Sequence, residues 1–281
     1  MRIWASANQK GGVGKTTTVI SLGGLLAAAG HRTLLVDLDP HGSLTSYLGQ
    51  DPEGADQGVY QLFQGVIRNA PEAAESWIVP TRCEGLSLLP GATALATLDR
   101  QFGAREGMGL VVARALEGLA SAFDHVLIDC PPMLGILMVN ALAACQRVIV
   151  PVQSEYLALQ GLDRMMRTLA MVNRARARTL PALIVPTLFD RRTRASIESL
   201  RLMRERYPEQ VWSGVVPVDT QFREASRAGV PLSVSQPRAR GVEAYRGLLR
   251  DLLVAETPGA TATVVPSIRS VGTNPALSTG R

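Results

Sequence analysis

The stretch ANQKGGVGKTTTV, Ala7 to Val19, constrains this chain more than any other. A short apolar run, Arg2–Asn8, leads into it and reads as a buried strand. A segment with helical apolar periodicity, Thr16–Ala29, follows and closes at Gly30. Glycines between a strand and a helix let backbone N–H groups converge on phosphate oxygens. The helix N-terminus adds the positive end of its dipole. In such a loop Lys15 reaches the β- and γ-phosphates of a nucleotide and the Thr16 hydroxyl ligates Mg2+. Gly11, Gly12, Val13, Gly14, Lys15, Thr16 and Thr17 are therefore the candidate phosphate-binding residues. The general spacing GxxxxGK[ST] asks for glycine at position 9, where Gln9 stands. The loop opens instead on Lys10. Lys10 and Lys15 are the only two lysines in a chain of 27 arginines.

Buried-strand patterns recur at Arg32–Asp39, Asp124–Pro132, Gln146–Val152, Leu180–Phe189 and Val211–Pro217. Helical patterns lie between and after them at Met108–Phe123, Ile136–Ala144, Leu157–Ala175, Thr193–Tyr207 and Val242–Ala255. Strands that are apolar throughout and alternate with helices predict a parallel sheet covered on both faces. The expected fold is a single α/β domain over residues 1–255, with a doubly wound, mostly parallel sheet flanked by helices. Residues 256–281, rich in Thr, Ser, Pro, Gly and Ala, read as a flexible tail. Cys83, Cys130 and Cys145 form no CxxC pair, which argues against a zinc site or a disulfide framework and suits a cytoplasmic setting. No apolar run approaches the roughly 20 residues needed to span a bilayer.

Three further segments carry candidate chemistry. LLVDLDPHG places Asp37 and Asp39 at a strand's carboxyl end, where open parallel sheets bind ligands. Asp39 also suits a plain helix cap before Pro40. HVLIDCPP puts Asp129 at the end of another strand, as a candidate for the metal's shell. Charge divides the chain: residues 1–160 carry 10 basic and 14 acidic side chains, residues 161–281 carry 19 and 10. A basic half invites a polyanion.

KGGVGKTT resembles the deviant Walker A box of the ParA/MinD group of P-loop NTPases, and the likeness runs from about Met1 to Ala255. It implies an ATPase that uses ATP and Mg2+. Lys10 is then a signature lysine that reaches a partner's nucleotide in an ATP-bound sandwich homodimer. The charge logic is general: two facing nucleotides repel, and an ammonium on a long stem offsets them. The resemblance assigns Asp39 to the attacking water, Asp37 and Asp129 to the metal's surroundings, Glu155 to the ribose, and Pro217 and Asp219 to the adenine. The group usually reads DPQGN where this chain has DPHGS, and Asn where it has Asp219. Glu155 also suits a helix cap.

Among these relatives the chain most resembles the short ParA, Soj-type, partition ATPases. MinD-like proteins end in a basic amphipathic helix, and nitrogenase iron proteins need bridging cysteines. The first strand begins within a few residues of Met1, so no N-terminal operator-binding domain is expected. The resemblance implies nonspecific binding of double-stranded DNA, nucleoid association, hydrolysis stimulated by a ParB-type centromere-binding protein, and no membrane contact. It places DNA contacts at Arg191, Arg192, Arg194, Arg223 and Arg227. Arg201 and Arg204 fit an ion-paired helix face equally well, since Glu198 and Glu205 lie at helical spacing. A MinD-like or a cargo-positioning ATPase built on the same switch is the alternative.

Overall fold

The structure is a computed structural model; it describes residues 1–54, 57–70, 73–98 and 107–255. The chain's apolar runs form a seven-stranded sheet in the order β3-β4-β2-β5-β1-β6-β7. The strands are β1 (Arg2–Ser6), β2 (Thr33–Asp37), β3 (Val79–Pro80), β4 (Leu86–Leu89), β5 (His125–Asp129), β6 (Arg147–Gln153) and β7 (Ala182–Thr187). All neighbouring pairs are parallel except β3 with β4. The doubly wound architecture expected from the sequence is thus present.

Among the described residues, the α-helices that cover the sheet are α1 (Lys15–Ala28), α2 (Ser43–Tyr47), α3 (Val59–Ile67), α4 (Val111–Glu117), α5 (Ile136–Ala144), α6 (Tyr156–Ala175), α7 (Arg194–Arg206), α8 (Gln221–Ala228), α9 (Leu232–Ser235) and α10 (Arg240–Val254). Strand residues alternate between the two cores, as the period of two requires. Ile3, Ala5, Leu34, Val36, Val126 and Ile128 join Phe63, Val112, Leu137 and Leu162 on one face. Trp4, Leu35 and Leu127 join Ile20, Leu22, Leu26, Tyr245 and Leu248 on the other. Helix α1 is enclosed between the sheet and α9–α10, so it is apolar almost all round. A Cβ on its Gly23 would meet Leu35 Cδ2 at 2.6 Å, so the glycine lets helix and sheet approach.

Two expected elements change form. The Val211–Pro217 strand survives only as isolated bridges at Val211 and Pro217 beside β7. Trp212 N donates to Ile184 O and Val216 N to Pro186 O, both at 2.8 Å, so four steps along one chain match two along the other. The surplus bulges outward, and Ser213 O accepts from Arg204 Nη2 at 2.7 Å. The expected helix Met108–Phe123 is a 3-10 turn, Met108–Leu110, and then α4, which stops before Gly118. The expected tail, 256–281, lies outside the described residues.

Candidate functional site

The parallel register aligns the ends of the central strands. Asp129 of β5 stands opposite Ser6 of β1 on one side and Asp37 of β2 on the other. The loop between β1 and α1 is fixed over these ends by its own side chains. Asn8 Nδ2 donates to Pro151 O at 2.7 Å, and Gln9 Nε2 to Thr168 Oγ1 of α6, also at 2.7 Å. Gln9, which breaks the general loop spacing, is therefore the loop's tether to α6. Gly12 and Gly14 take φ values of 73° and 92°, a region that favours glycine, and Gly14 caps α1. Thr187 Oγ1 donates to Val13 O at 2.8 Å, and Thr18 Oγ1 to Gly14 O at 2.8 Å. Thr18 in turn shares a 2.9 Å hydrogen bond with Tyr245 of α10.

The loop frames a cleft of about 460 Å³ lined by Gly11, Gly12, Lys15, Thr16, Asp39 and His41, among others. Lys15 is buried, and its Nζ reaches back to Lys10 O at 3.4 Å. Thr16 Oγ1 donates to Asp129 Oδ2 at 2.6 Å. Asp129 Oδ1 is buried with no hydrogen-bond partner. A buried carboxylate oxygen without a partner is costly in a ligand-free fold. Beneath a loop of backbone N–H groups and beside the Thr16 hydroxyl, it has the chemistry of a site for a hard cation with phosphate oxygens. Among the described residues no group of three or more His, Cys, Asp or Glu is arranged to hold a metal. A cation held at Thr16 and Asp129 would thus draw most of its shell from phosphate and water, which suits Mg2+.

Asp37 and Asp129 are both fully buried side by side. Burial pushes Asp37 up to about 6, against its hydrogen bonds from Thr45 and Asp39. Burial, and then the charge of Asp37, drives Asp129 well above the usual carboxylate range. Asp37 lies in the metal's expected surroundings, but its oxygens serve the protein. Oδ1 accepts from Asp39 N at 3.1 Å, and Oδ2 from Thr45 N and Oγ1 at 2.9 and 2.7 Å. It anchors α2 and the loop that carries Asp39. Asp39 Oδ1 accepts from His41 N at 3.1 Å, a turn of the kind a cap makes, and the carboxylate also lines the cleft.

Glu155 Oε1 forms a salt bridge with Lys10 Nζ, which joins the start of α6 to the first lysine of the loop. Beyond Gly14 and Thr17 a second cavity, of about 200 Å³, is lined by Pro217, Asp219, Phe222, Arg223 and Tyr245. Pro217 and Asp219 therefore lie beside the loop. The Asp219 oxygens, however, accept from Gln221 N at 3.1 Å and Gly241 N at 3.0 Å, which joins α8 to α10.

The arginines divide by position. Arg191 and Arg192 line an open groove of about 980 Å³ together with Arg238 and Arg240. The latter pair sits in the basic run PRARG at the start of α10. Arg192 grips Asp190 through Nε at 2.9 Å and Nη2 at 2.8 Å, and those hydrogen bonds pull Asp190 down to about 2. Arg223 faces the smaller cavity instead. Arg194 and Arg227 are exposed on α7 and α8. Arg201 is bound to Glu198 and Glu205 on its own helix, the ion-paired alternative. Apolar side chains also stand exposed around the cleft. Met133 and Leu134 follow Pro132, and Tyr156 and Leu157 follow Glu155, with exposures from 49% to 70%.

Residues 1–181 match a family described as AAA domain. The chain is 36% identical to the sporulation initiation inhibitor protein Soj of Bacillus subtilis over 89% of this chain and 98% of that protein. It is 38% identical to the chromosome-partitioning ATPase Soj of Thermus thermophilus, over 89% of this chain and 94% of the other. A solved structure of cobyrinic acid a,c-diamide synthase from Mycobacterium smegmatis, with bound ATP analog and magnesium, superimposes with a TM-score of 0.77 at 38% identity. It covers 90% of this chain and 94% of its own.

Proposed function

Since the chain belongs to the ParA/Soj-type ATPases of the AAA domain family, we propose that it is a partition ATPase that hydrolyses MgATP and binds DNA as an ATP-dependent dimer. One observation carries this reading: the unpartnered Asp129 oxygen, beside Thr16, under a glycine loop that presents Lys15. Backbone N–H groups of Gly11–Gly14 and the Lys15 ammonium hold the β- and γ-phosphates. Thr16 and Asp129 would hold Mg2+, which when bound neutralises charge on the β- and γ-oxygens. Asp39, at the cleft, orients the attacking water, so the chain contributes positioning and charge stabilisation rather than covalent chemistry.

The dimer reading rests on two neighbouring features. Lys10 stands at the cleft's edge in a pair with Glu155, and Met133, Leu134, Tyr156 and Leu157 expose apolar surface beside it. A second copy seated there would cover that surface and bring Lys10 to the facing nucleotide. The Arg191, Arg192, Arg238 and Arg240 groove supports contact with phosphate backbone, independent of sequence. A ParB-type protein is the proposed stimulator of hydrolysis, and the nucleoid in the cytoplasm the proposed setting. The cargo-positioning alternative uses the same dimer on DNA. No helix among the described residues is long and apolar enough to cross a membrane.

The test is nucleotide binding and turnover. Wild-type protein should bind ATP and release phosphate slowly with ATP and water alone, and Lys15→Ala should lose binding. Retained micromolar affinity in that variant would sink the phosphate-loop assignment. A requirement for a carboxylic acid co-substrate would favour the amide-forming chemistry carried by the mycobacterial protein's name.

A further inference from the structure

The turn after β2 holds a histidine, His41, whose ring makes a polar contact with Asp39. His41 Nδ1 lies 2.9 Å from Asp39 Oδ1, the oxygen that also accepts from His41 N at 3.1 Å. An ionised carboxylate only accepts, so Nδ1 carries the proton and donates it. Gly42 N donates to Asp39 O at 2.8 Å and closes the turn. Gly42 has φ of 60°, and a Cβ there would meet Pro52 Cβ at 2.3 Å. The backbone of the turn is therefore set by this close approach, not by packing of the histidine ring.

Exposure separates the two partners. The Asp39 side chain is 12% exposed and the His41 side chain 77%. The ring is not a core residue, yet it lines the same cleft as Asp39, Lys15 and Thr16. Asp39 Oδ2 accepts from no donor among the described residues. One carboxylate oxygen is thus held by two donors from a single residue, and the other is left for the cleft. Without the ring, only the backbone N–H would hold Oδ1, and the carboxylate's rotation about its terminal torsion is broad.

We propose that His41 is a positioning residue for hydrolysis: its Nδ1–H holds Asp39 Oδ1 so that Oδ2 presents to the attacking water. The proposal rests on the reading of Asp39 as the residue that orients that water. Outer contacts of this kind typically change activity by about 10–100-fold when removed.

Four variants are assayed for ATP affinity and single-turnover hydrolysis: His41→Ala, His41→Asn, Asp39→Ala and the double variant His41→Ala/Asp39→Ala. His41→Ala should lower kcat by about 10-fold or more with ATP affinity unchanged. His41→Asn places an amide N–H near the lost Nδ1 and should restore most of the rate. The double variant should be no slower than Asp39→Ala, because both changes act on one unit. Wild-type turnover in His41→Ala, no rescue by His41→Asn, or a double variant slower than Asp39→Ala overturns the proposal. If Asp39→Ala itself turns over normally, the Asp39 reading fails and the His41 role goes with it. If Asp39→Ala is inactive and His41→Ala is not impaired, only the His41 role fails.

Discussion

Asp129→Asn should stabilise the ligand-free protein while removing its response to Mg2+ and ATP. Asp37 and Asp129 stand opposite each other at the ends of β2 and β5, both fully buried. Asp37 is held up at about 6, roughly 2 units above an ordinary aspartate. At about 1.36 kcal/mol per unit, one of these charges costs the fold on the order of 3 kcal/mol at neutral pH. Asparagine at 129 keeps the shape, accepts from Thr16 through its oxygen, and removes the repulsion on Asp37. Relief of about 1–2 kcal/mol, at roughly 2–4 °C per kcal/mol for a domain of this size, raises the melting temperature by about 5 °C. The measurement is thermal unfolding in chelator at pH 7.5, then with MgATP. The wild type should gain stability from MgATP and the variant should not. The pH dependence has a definite sign. A carboxylate raised in the fold relieves its penalty as pH falls through about 6, so the variant's advantage should shrink there. A variant less stable than wild type in chelator would refute the reasoning, since the carboxylate pair would then be supporting the fold.

Arg191→Ala and Arg223→Ala should each weaken DNA binding equally on unrelated sequences and reduce the salt slope by about 1; unchanged affinity at moderate salt removes that residue from the DNA surface. His125 is buried between Trp4 and His31, and its Nδ1 lacks a partner. Burial lowers it to about 4, so folding stability should be full above about pH 6.5 and fall as pH drops toward 4. His125→Phe should flatten that part of the urea-midpoint profile relative to wild type; an identical profile would show that other groups set it.

The parts of the fold that are legible in the sequence are those with long apolar runs. β1, β2, β5, β6 and β7 are continuous and bounded by turn residues, and α5 falls on its expected limits, Ile136–Ala144. β4 is only Leu86–Leu89, and an apolar run of that length does not declare its period. α8 is short, buries Ala225 alone, and depends on the Asp219 bridge to α10, which no local pattern announces. The same limit applies to the site. The glycine loop, Lys15, Thr16 and Asp129 are legible because each role lies at a fixed place beside a strand end. The Glu155 contact with Lys10 spans 145 residues, and the His41 contact with Asp39 is a matter of rotamer. Neither leaves a mark in spacing. Arg238 and Arg240 were visible as a basic run, but only the folding of α10 against the Pro217–Asp219 segment brings them to Arg191 and Arg192.

The central claim is that Lys10 makes dimerisation and DNA binding depend on ATP. The most direct measurement is an ATP-dependent DNA mobility shift with wild-type protein and Lys10→Ala, alongside ATP affinity for each. The account predicts that Lys10→Ala still binds ATP but gives no ATP-dependent shift. A Lys10→Ala protein that shifts DNA with ATP as the wild type does would contradict it.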